Sequence, residues 1–260
     1  MLNAHSPAQS LRFLKLIGHD LRWQLLAALA HSDRQVQELA RLIDQPQNLV
    51  SYHLKRLRSL DLVGERRSAA DGRDIYYNLN IEQVRELYFA SAAELHPALV
   101  ETNQGPAEAT LRERAKPVRV LFLCTENSAR SQMAEGILRH LSHGEVDAFS
   151  AGSAPAPVHP NAVRAMAEMG IDISAQVTKS IDAFRGQSFD YIVTVCDRVR
   201  ETCPSFPDDP QRIHWSFPDP AAVAGDEDAR YRSFEQTALQ LVTRIRYLLI
   251  QIEREKGRIR

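Results

Sequence analysis

The sequence predicts two domains: a mainly α winged helix-turn-helix, then an α/β domain with a parallel sheet. Three observations support this. The first third of the chain carries apolar residues at helical spacing, followed by two strand-like runs that flank Asp71-Gly72, a hairpin-turn dipeptide. From Val118 onward, short apolar strands alternate with helical stretches, the grammar of a parallel sheet covered on both faces. A length of 260 residues gives each domain enough chain to bury its own core. The expected boundaries are 1–96, a linker at 97–117 that is short of large apolar side chains, and 118–260.

In the first domain, Leu11, Leu14, Ile17, Leu21, Leu25, Leu26 and Leu29 form one helical stripe that Gly18 can interrupt. Ser32 or Asp33 can cap a second helix carrying Val36, Leu39, Ala40 and Ile43. Pro46 suits the first turn of a third helix, whose buried stripe is Leu49, Val50, Leu54, Leu57 and Leu60. Strands at 62–67 and 75–79 follow, then a helix from Ile81 to Leu95. In the second domain, strands are expected at Val118–Leu123, Val146–Ser150 and Phe189–Cys196. The helices are expected at Ser131–Leu141, Pro160–Met169 and Arg230–Glu255.

Composition narrows the function. A net charge of −1 leaves nucleic-acid binding to a local patch, and no apolar run approaches the ~20 residues of a membrane span. Residues 1–10 lack a basic start and an apolar stretch, so a secretory signal is not expected and the cytoplasm is. Cys124, Cys196 and Cys203 are the three cysteines, an odd and sparse set that points to reactive or metal-binding thiols rather than a disulfide framework. His19, His31, His53, Glu94 and His96 lack metal-ligand spacing, so no metal or bound cofactor is expected.

The chemistry concentrates at Cys124-Thr125-Glu126-Asn127-Ser128-Ala129-Arg130-Ser131, between a strand and a helix. A loop there aims backbone N–H groups and a helix N-terminus at one point, making an anion site. The same dipoles favour a thiolate at Cys124. Arg130 supplies a planar fork matched to a tetrahedral oxyanion, and Ser131 can donate to the sulfur.

Residues 120–135 (VLFLCTENSARSQMAE) resemble the signature of the low-molecular-weight phosphatase fold, and more narrowly the thioredoxin-coupled arsenate reductases built on it. Ser150-Ala151-Gly152-Ser153, the stretches 159–163 and 169–174, and His214 to Pro220 agree, so the likeness covers most of 118–255. It implies a relay in which Cys124 attacks arsenate, Cys196 attacks Cys124, and Cys203 leaves a Cys196–Cys203 disulfide for thioredoxin. It also implies Asp219 as general acid, and Asn127 is expected to brace the loop through side-chain hydrogen bonds to its backbone. Ala129 stands where several members carry an additional cysteine outside the relay. Lys179 stands where some members have an aspartate that helps bind a monovalent cation near Asn127, Glu135 and Ser150; its ammonium can replace that cation. Two other readings share the loop: a tyrosine phosphatase, and a transcription factor that senses an oxyanion with little turnover.

Residues 10–95 resemble the ArsR family of small dimeric repressors, which implies double-stranded DNA as partner and a homodimer through this domain. Gln47, Asn48, Ser51, Tyr52 and His53 would meet base edges or phosphates, and Lys55, Arg56 and Arg58 phosphates. Arg66, Arg67 and Arg73 would sit on the wing. No cysteine precedes Cys124, so a thiolate arsenite sensor in this half is not expected.

Overall fold

In the computed structural model the chain forms two compact units, Met1–Glu113 and Arg114–Arg260. The structure describes residues 7–68, 70, 73–96, 99, 117–202, 204–208 and 210–258. The hairpin dipeptide at 71–72, most of the expected linker and Cys203 lie outside these residues.

The first unit contains helices α1 (Pro7–Ile17), α2 (Asp20–His31), α3 (Val36–Leu42), α4 (Gln47–Arg58) and α5 (Ile81–Leu95). Its strands are β1 (Arg34–Gln35), β2 (Val63–Arg67) and β3 (Ile75–Leu79), antiparallel in the order β1-β3-β2. The single stripe expected from Leu11 to Leu29 is broken into α1 and α2. Gly18 takes part in the break, and Arg22 turns back to donate to the terminal carbonyls of Leu16 and Lys15, which a continuous helix would satisfy itself. The cap expected at Ser32 or Asp33 falls instead on Gln35, where a capping box with Glu38 starts α3; Glu38 accepts from the Gln35 N–H at 2.7 Å. Phe13, Leu25, Leu39, Leu54, Leu57 and Leu87 fill the centre, so α4 is held by its apolar face with its polar face outward.

The second unit has strands β4 (Val118–Cys124), β5 (Val146–Gly152), β6 (Tyr191–Thr194) and β7 (Gln211–His214), all parallel in the order β5-β4-β6-β7. Helices α6 (Arg130–Leu141), α7 (Pro160–Glu168), α8 (Asp197–Thr202) and α9 (Glu227–Arg258) complete it. The inner strands are apolar along their length because both faces are covered: Val120 to Leu123 and Ile192 to Val193 are essentially inaccessible. Phe234, Leu241, Ile245 and Ile252 on α9 belong to this core. The chain leaves β4 for β5 on one side and returns to β6 on the other. That reversal opens a crevice at the carboxyl ends of β4 and β6, where ligands bind in sheets of this kind. Both β7 and α8 lack a clear apolar signature and were not expected from the sequence.

Candidate active site

Cys124 ends β4, and the chain turns through Thr125–Ala129 into α6. What aims this loop is the segment beside it. Ser153, Ala154, Ala156 and His159 donate backbone N–H groups to the carbonyls of Cys124, Thr125, Glu126 and Ser128 at 3.3, 2.8, 2.9 and 2.8 Å. With its carbonyls engaged there, the loop leaves its own N–H groups for the other side. The Asn127 N–H points at Cys124 Sγ, 3.0 Å away. Ser131 Oγ lies 2.8 Å from the same sulfur.

Asn127 holds the turn. Its φ of 51° is left-handed, a conformation Asn tolerates better than most residues. Its side-chain nitrogen donates to Ser131 Oγ (2.9 Å) and Ser150 Oγ (2.8 Å). Its oxygen accepts from Gln132 Nε2 (3.0 Å) and the Lys179 N–H (2.7 Å). The bracing expected through the loop's own backbone runs instead through the side chains of Ser131, Ser150 and Gln132 and the Lys179 N–H, four partners of which the sequence offered no sign of Gln132.

Burial pushes the Cys124 thiol up from its ordinary value, and the neighbouring Cys196 adds to this. Ser131, Arg130 and the Asn127 N–H pull it down. The lowered thiol expected from loop dipoles is thus present in its ingredients but outweighed by the loss of water around a fully enclosed sulfur. Arg130 is also buried; its Nη2 sits 3.0 Å from Asp219 Oδ2 and its Nη1 donates to the Phe217 carbonyl at 3.2 Å. Asp219 begins a 3-10 turn (Pro220–Ala222) and accepts from the Ala221 N–H at 3.1 Å through its other oxygen.

Cys196 follows β6, the strand beside β4, so two thiols stand at adjacent strand ends. Leu123 pairs with Thr194, and the Val195 N–H donates to the Leu123 carbonyl at 2.8 Å. Cys196 Sγ is a free, buried thiol 3.4 Å from Thr125 Oγ1. Behind the loop, Lys179 Nζ lies 3.2 Å from Glu135 Oε2 and donates to the Val177 carbonyl at 3.1 Å. Glu135 also accepts from Ser150 Oγ and Arg139 Nη2, each at 2.5 Å. Glu135, Arg139 and Lys179 line an open pocket of about 330 Å³ whose walls do not include Cys124.

On α4 the structure separates the residues expected to meet DNA. Gln47, Asn48, Ser51, Tyr52, Lys55 and Arg56 are exposed, as are Arg67 and Arg73, while Arg66 is half-buried. His53 is a correction: it is 4% exposed and packs on His19 with ring centroids 4.7 Å apart, because its position follows the apolar stripe. Burial, then His19 and Arg22, hold its imidazole below the ordinary value. Among the described residues, no group of His, Cys, Asp and Glu has metal-holding geometry, and no helix is long and apolar enough to cross a membrane.

A cysteine at the carboxyl end of a parallel strand, heading a carbonyl-anchored loop with an arginine at the following helix start, defines the class of cysteine-dependent oxyanion-processing α/β proteins. The family model described as low molecular weight phosphotyrosine protein phosphatase matches residues 119–258, and the chain belongs to that family. Residues 19–64 match the bacterial regulatory protein arsR family, so the first unit carries an ArsR-family helix-turn-helix. An arsenate reductase of Halalkalibacterium halodurans is 42% identical over 127 residues, covering 49% of this chain and 91% of that protein. One of Bacillus subtilis is 39% identical over the same length and shares. A solved thioredoxin-dependent arsenate reductase of Corynebacterium glutamicum aligns over 89% of this chain and 98% of its own, at 22% identity and a TM-score of 0.43.

Gly152 pairs with Cys124, and a Cβ there would lie 2.6 Å from the Thr125 oxygen and 2.8 Å from the Asn127 nitrogen, both backbone atoms. Gly152→Ala is expected to displace the loop and weaken inorganic phosphate binding at least tenfold, about 1.4 kcal/mol. Calorimetric titration giving wild-type affinity would show that the loop has slack.

Proposed function

We propose that the chain is an arsenate reductase fused to an ArsR-type DNA-binding regulator and working in the cytoplasm. The domains would be 1–96 and 118–260, joined by 97–117. The observation that carries the catalytic part is the pair of buried thiols, Cys124 and Cys196, at adjacent strand ends beside an oxyanion loop. A phosphatase of this fold needs the first thiol only. Reduction needs two electrons, which two thiols give up together on forming a disulfide, and the curated relatives at about 40% identity carry the name arsenate reductase.

In this reading the N–H groups of Thr125–Arg130 and the Arg130 fork hold arsenate, with Arg130 exchanging Asp219 for the oxyanion. The proton of the enclosed Cys124 thiol passes to an oxygen of the bound oxyanion as the sulfur attacks. Cys124 Sγ attacks arsenic; Asp219, released from Arg130 and protonated from solvent, gives its proton to the departing oxygen, and water leaves with arsenic still As(V). Ser131 steadies the sulfur. Cys196 then attacks Cys124 Sγ: a sulfur–sulfur bond forms, the sulfur–arsenic bond breaks, and its electron pair leaves with arsenic as arsenite. Cys203 attacks Cys196 Sγ, closing Cys196–Cys203 and releasing Cys124 as thiolate. Thioredoxin, as external reductant, returns the two electrons.

The deciding measurement is arsenate turnover with thioredoxin and its reductase. Cys124→Ser and Cys196→Ser should release no arsenite, and Cys203→Ser one arsenite per chain without thioredoxin-driven turnover. Steady turnover by Cys203→Ser would contradict the relay, and robust aryl-phosphate hydrolysis without arsenate turnover would favour the phosphatase. Operator binding that responds to arsenate, with negligible turnover, would favour a sensor.

Lys179 Nζ, 3.2 Å from Glu135, puts a tethered ammonium against the buried carboxylate behind the loop, a position that a free monovalent cation would otherwise suit. Turnover should therefore be equal in potassium and sodium salts; a several-fold gain with potassium would rule this role out.

The regulatory part rests on the exposed polar face of α4. Gln47, Asn48, Ser51 and Tyr52 would read bases or phosphates, Lys55 and Arg56 phosphates, and Arg66, Arg67 and Arg73 the flanking backbone. Exposed Leu11, Leu14, Tyr88 and Phe89, on the packed pair α1 and α5, would form the homodimer surface. With duplex from the gene's own upstream region, Arg56→Ala should weaken binding and reduce the salt slope by about 1. His53→Gln should leave that slope unchanged; a slope lowered by it would place His53 on the DNA.

A further inference from the structure

Asp219 stands at the tip of a short arm whose base is held by a buried polar network. β7 ends at His214, and the chain runs on through Trp215, Ser216, Phe217 and Pro218 to reach Asp219. His214 and Ser216 flank Trp215, so extended backbone turns both toward one side. Asp197, the first residue of α8, meets them there and is 1% exposed. Its Oδ1 accepts from Ser216 Oγ at 2.7 Å and lies 3.2 Å from His214 Nε2. A carboxylate can only accept, so His214 carries a proton on Nε2. His214 Nδ1 lies 2.8 Å from Thr194 Oγ1, and the Trp215 N–H donates to the Thr194 carbonyl at 2.8 Å, tying the base of the arm to β6.

Beyond Ser216 the arm is stiff. Phe217 is buried, with the Arg244 guanidinium over its ring at 5.6 Å from the centroid. Pro218 and Pro220 fix their own φ and confine the residue before each to extended backbone, so neither Phe217 nor Asp219 turns freely. Asp219 accordingly has φ −79° and ψ 113°. A stiff arm carries the orientation of its base to its tip. Asp219 Oδ2 lies 3.0 Å from Arg130 Nη2, a contact that gives way when an oxyanion takes the guanidinium. The Ala221 N–H on its other oxygen belongs to the same arm, so the aim of Asp219 then depends on the base.

We propose that Asp197, acting through Ser216 and His214, positions Asp219 for proton transfer to the departing oxygen; this rests on the reductase reading above. The three are positioning residues and touch no reacting atom. A buried carboxylate holds its partners firmly, because losing one leaves charge uncompensated away from water. Ser216 is the closer link, three residues from the acid, and its hydroxyl can be removed with little change of volume.

The test mixes the reduced full chain with arsenate in the absence of thioredoxin and follows arsenite release in the single turnover that its own thiols support. At saturating arsenate, Ser216→Ala should slow release about fivefold and Asp197→Asn about tenfold. The half-saturating arsenate concentration should stay within about twofold, because the loop and Arg130 are untouched. Asp219→Asn should slow release about a hundredfold. In that background Ser216→Ala should cost less than about twofold, since a residue acting through the acid has nothing left to act on. An equal cost in both backgrounds, or none in either, overturns the positioning role even where melting temperatures fall. Should Asp197→Asn fail to fold, Ser216→Ala decides alone. A wild type that releases no arsenite overturns the reductase reading and this inference together. Asp219→Asn as fast as wild type removes the acid and its positioning but leaves the relay. A slow Asp219→Asn, with the cost of Ser216→Ala unchanged by it, removes only the positioning.

Discussion

The loop after β4 can gather N–H groups around one point only because its carbonyls are spent elsewhere. Four of them are taken by the stretch from Ser153 to His159, and the turn is locked by Asn127 in a left-handed conformation with four side-chain hydrogen bonds. Each buried backbone group needs a partner, so this arrangement commits both segments at once. β5 has to end in a residue without a side chain, because Gly152 lies against the loop's own backbone. Ser150, Glu135 and Lys179 then form a second layer behind Asn127, tying α6 and β5 to the same turn. The site belongs to the fold's hydrogen-bond accounting as much as to its catalytic residues.

The cost of that enclosure falls on the thiol. Burial raises Cys124, while Arg130, Ser131 and one backbone amide oppose it, so charge at the sulfur depends on what shares the loop with it. The buried Arg130 meanwhile rests on Asp219 and the Phe217 carbonyl, which keeps its charge paired. In the proposed reaction an incoming oxyanion would replace the Asp219 carboxylate with another anion, so the guanidinium would stay paired throughout. Enclosure and pairing together favour a ligand that brings its own negative charge.

Much of this was legible in the sequence, for physical reasons that can be named. The apolar run before Cys124, the Cys-x5-Arg spacing and the stop at Gly170 are local, and local signals survive without coordinates. The features that escaped depend on partners far along the chain. Arg22 splits an otherwise continuous helical stripe by reaching back to α1. His53, which looks like a polar reader on a recognition helix, follows the buried stripe and packs on His19. The strand Gln211–His214 alternates too little to announce itself and forms because β6 offers a free edge. Asp197 and His214 are 17 positions apart, and nothing in either residue type reveals that they meet.

The network at His214 also bears on how the molecule can be observed. The chain has two tryptophans, and each unit holds one. Trp215 lies between His214 and Ser216, buried against Phe122 with ring centroids 6.1 Å apart, whereas Trp23 on α2 is 61% exposed. A shielded indole emits at shorter wavelength than a hydrated one, and a soluble quencher reaches only the second. Replacing Trp23 with Phe leaves a chain whose tryptophan emission, excited beyond the tyrosine band, comes from the edge of the thiol site alone, an optical window on one unit only.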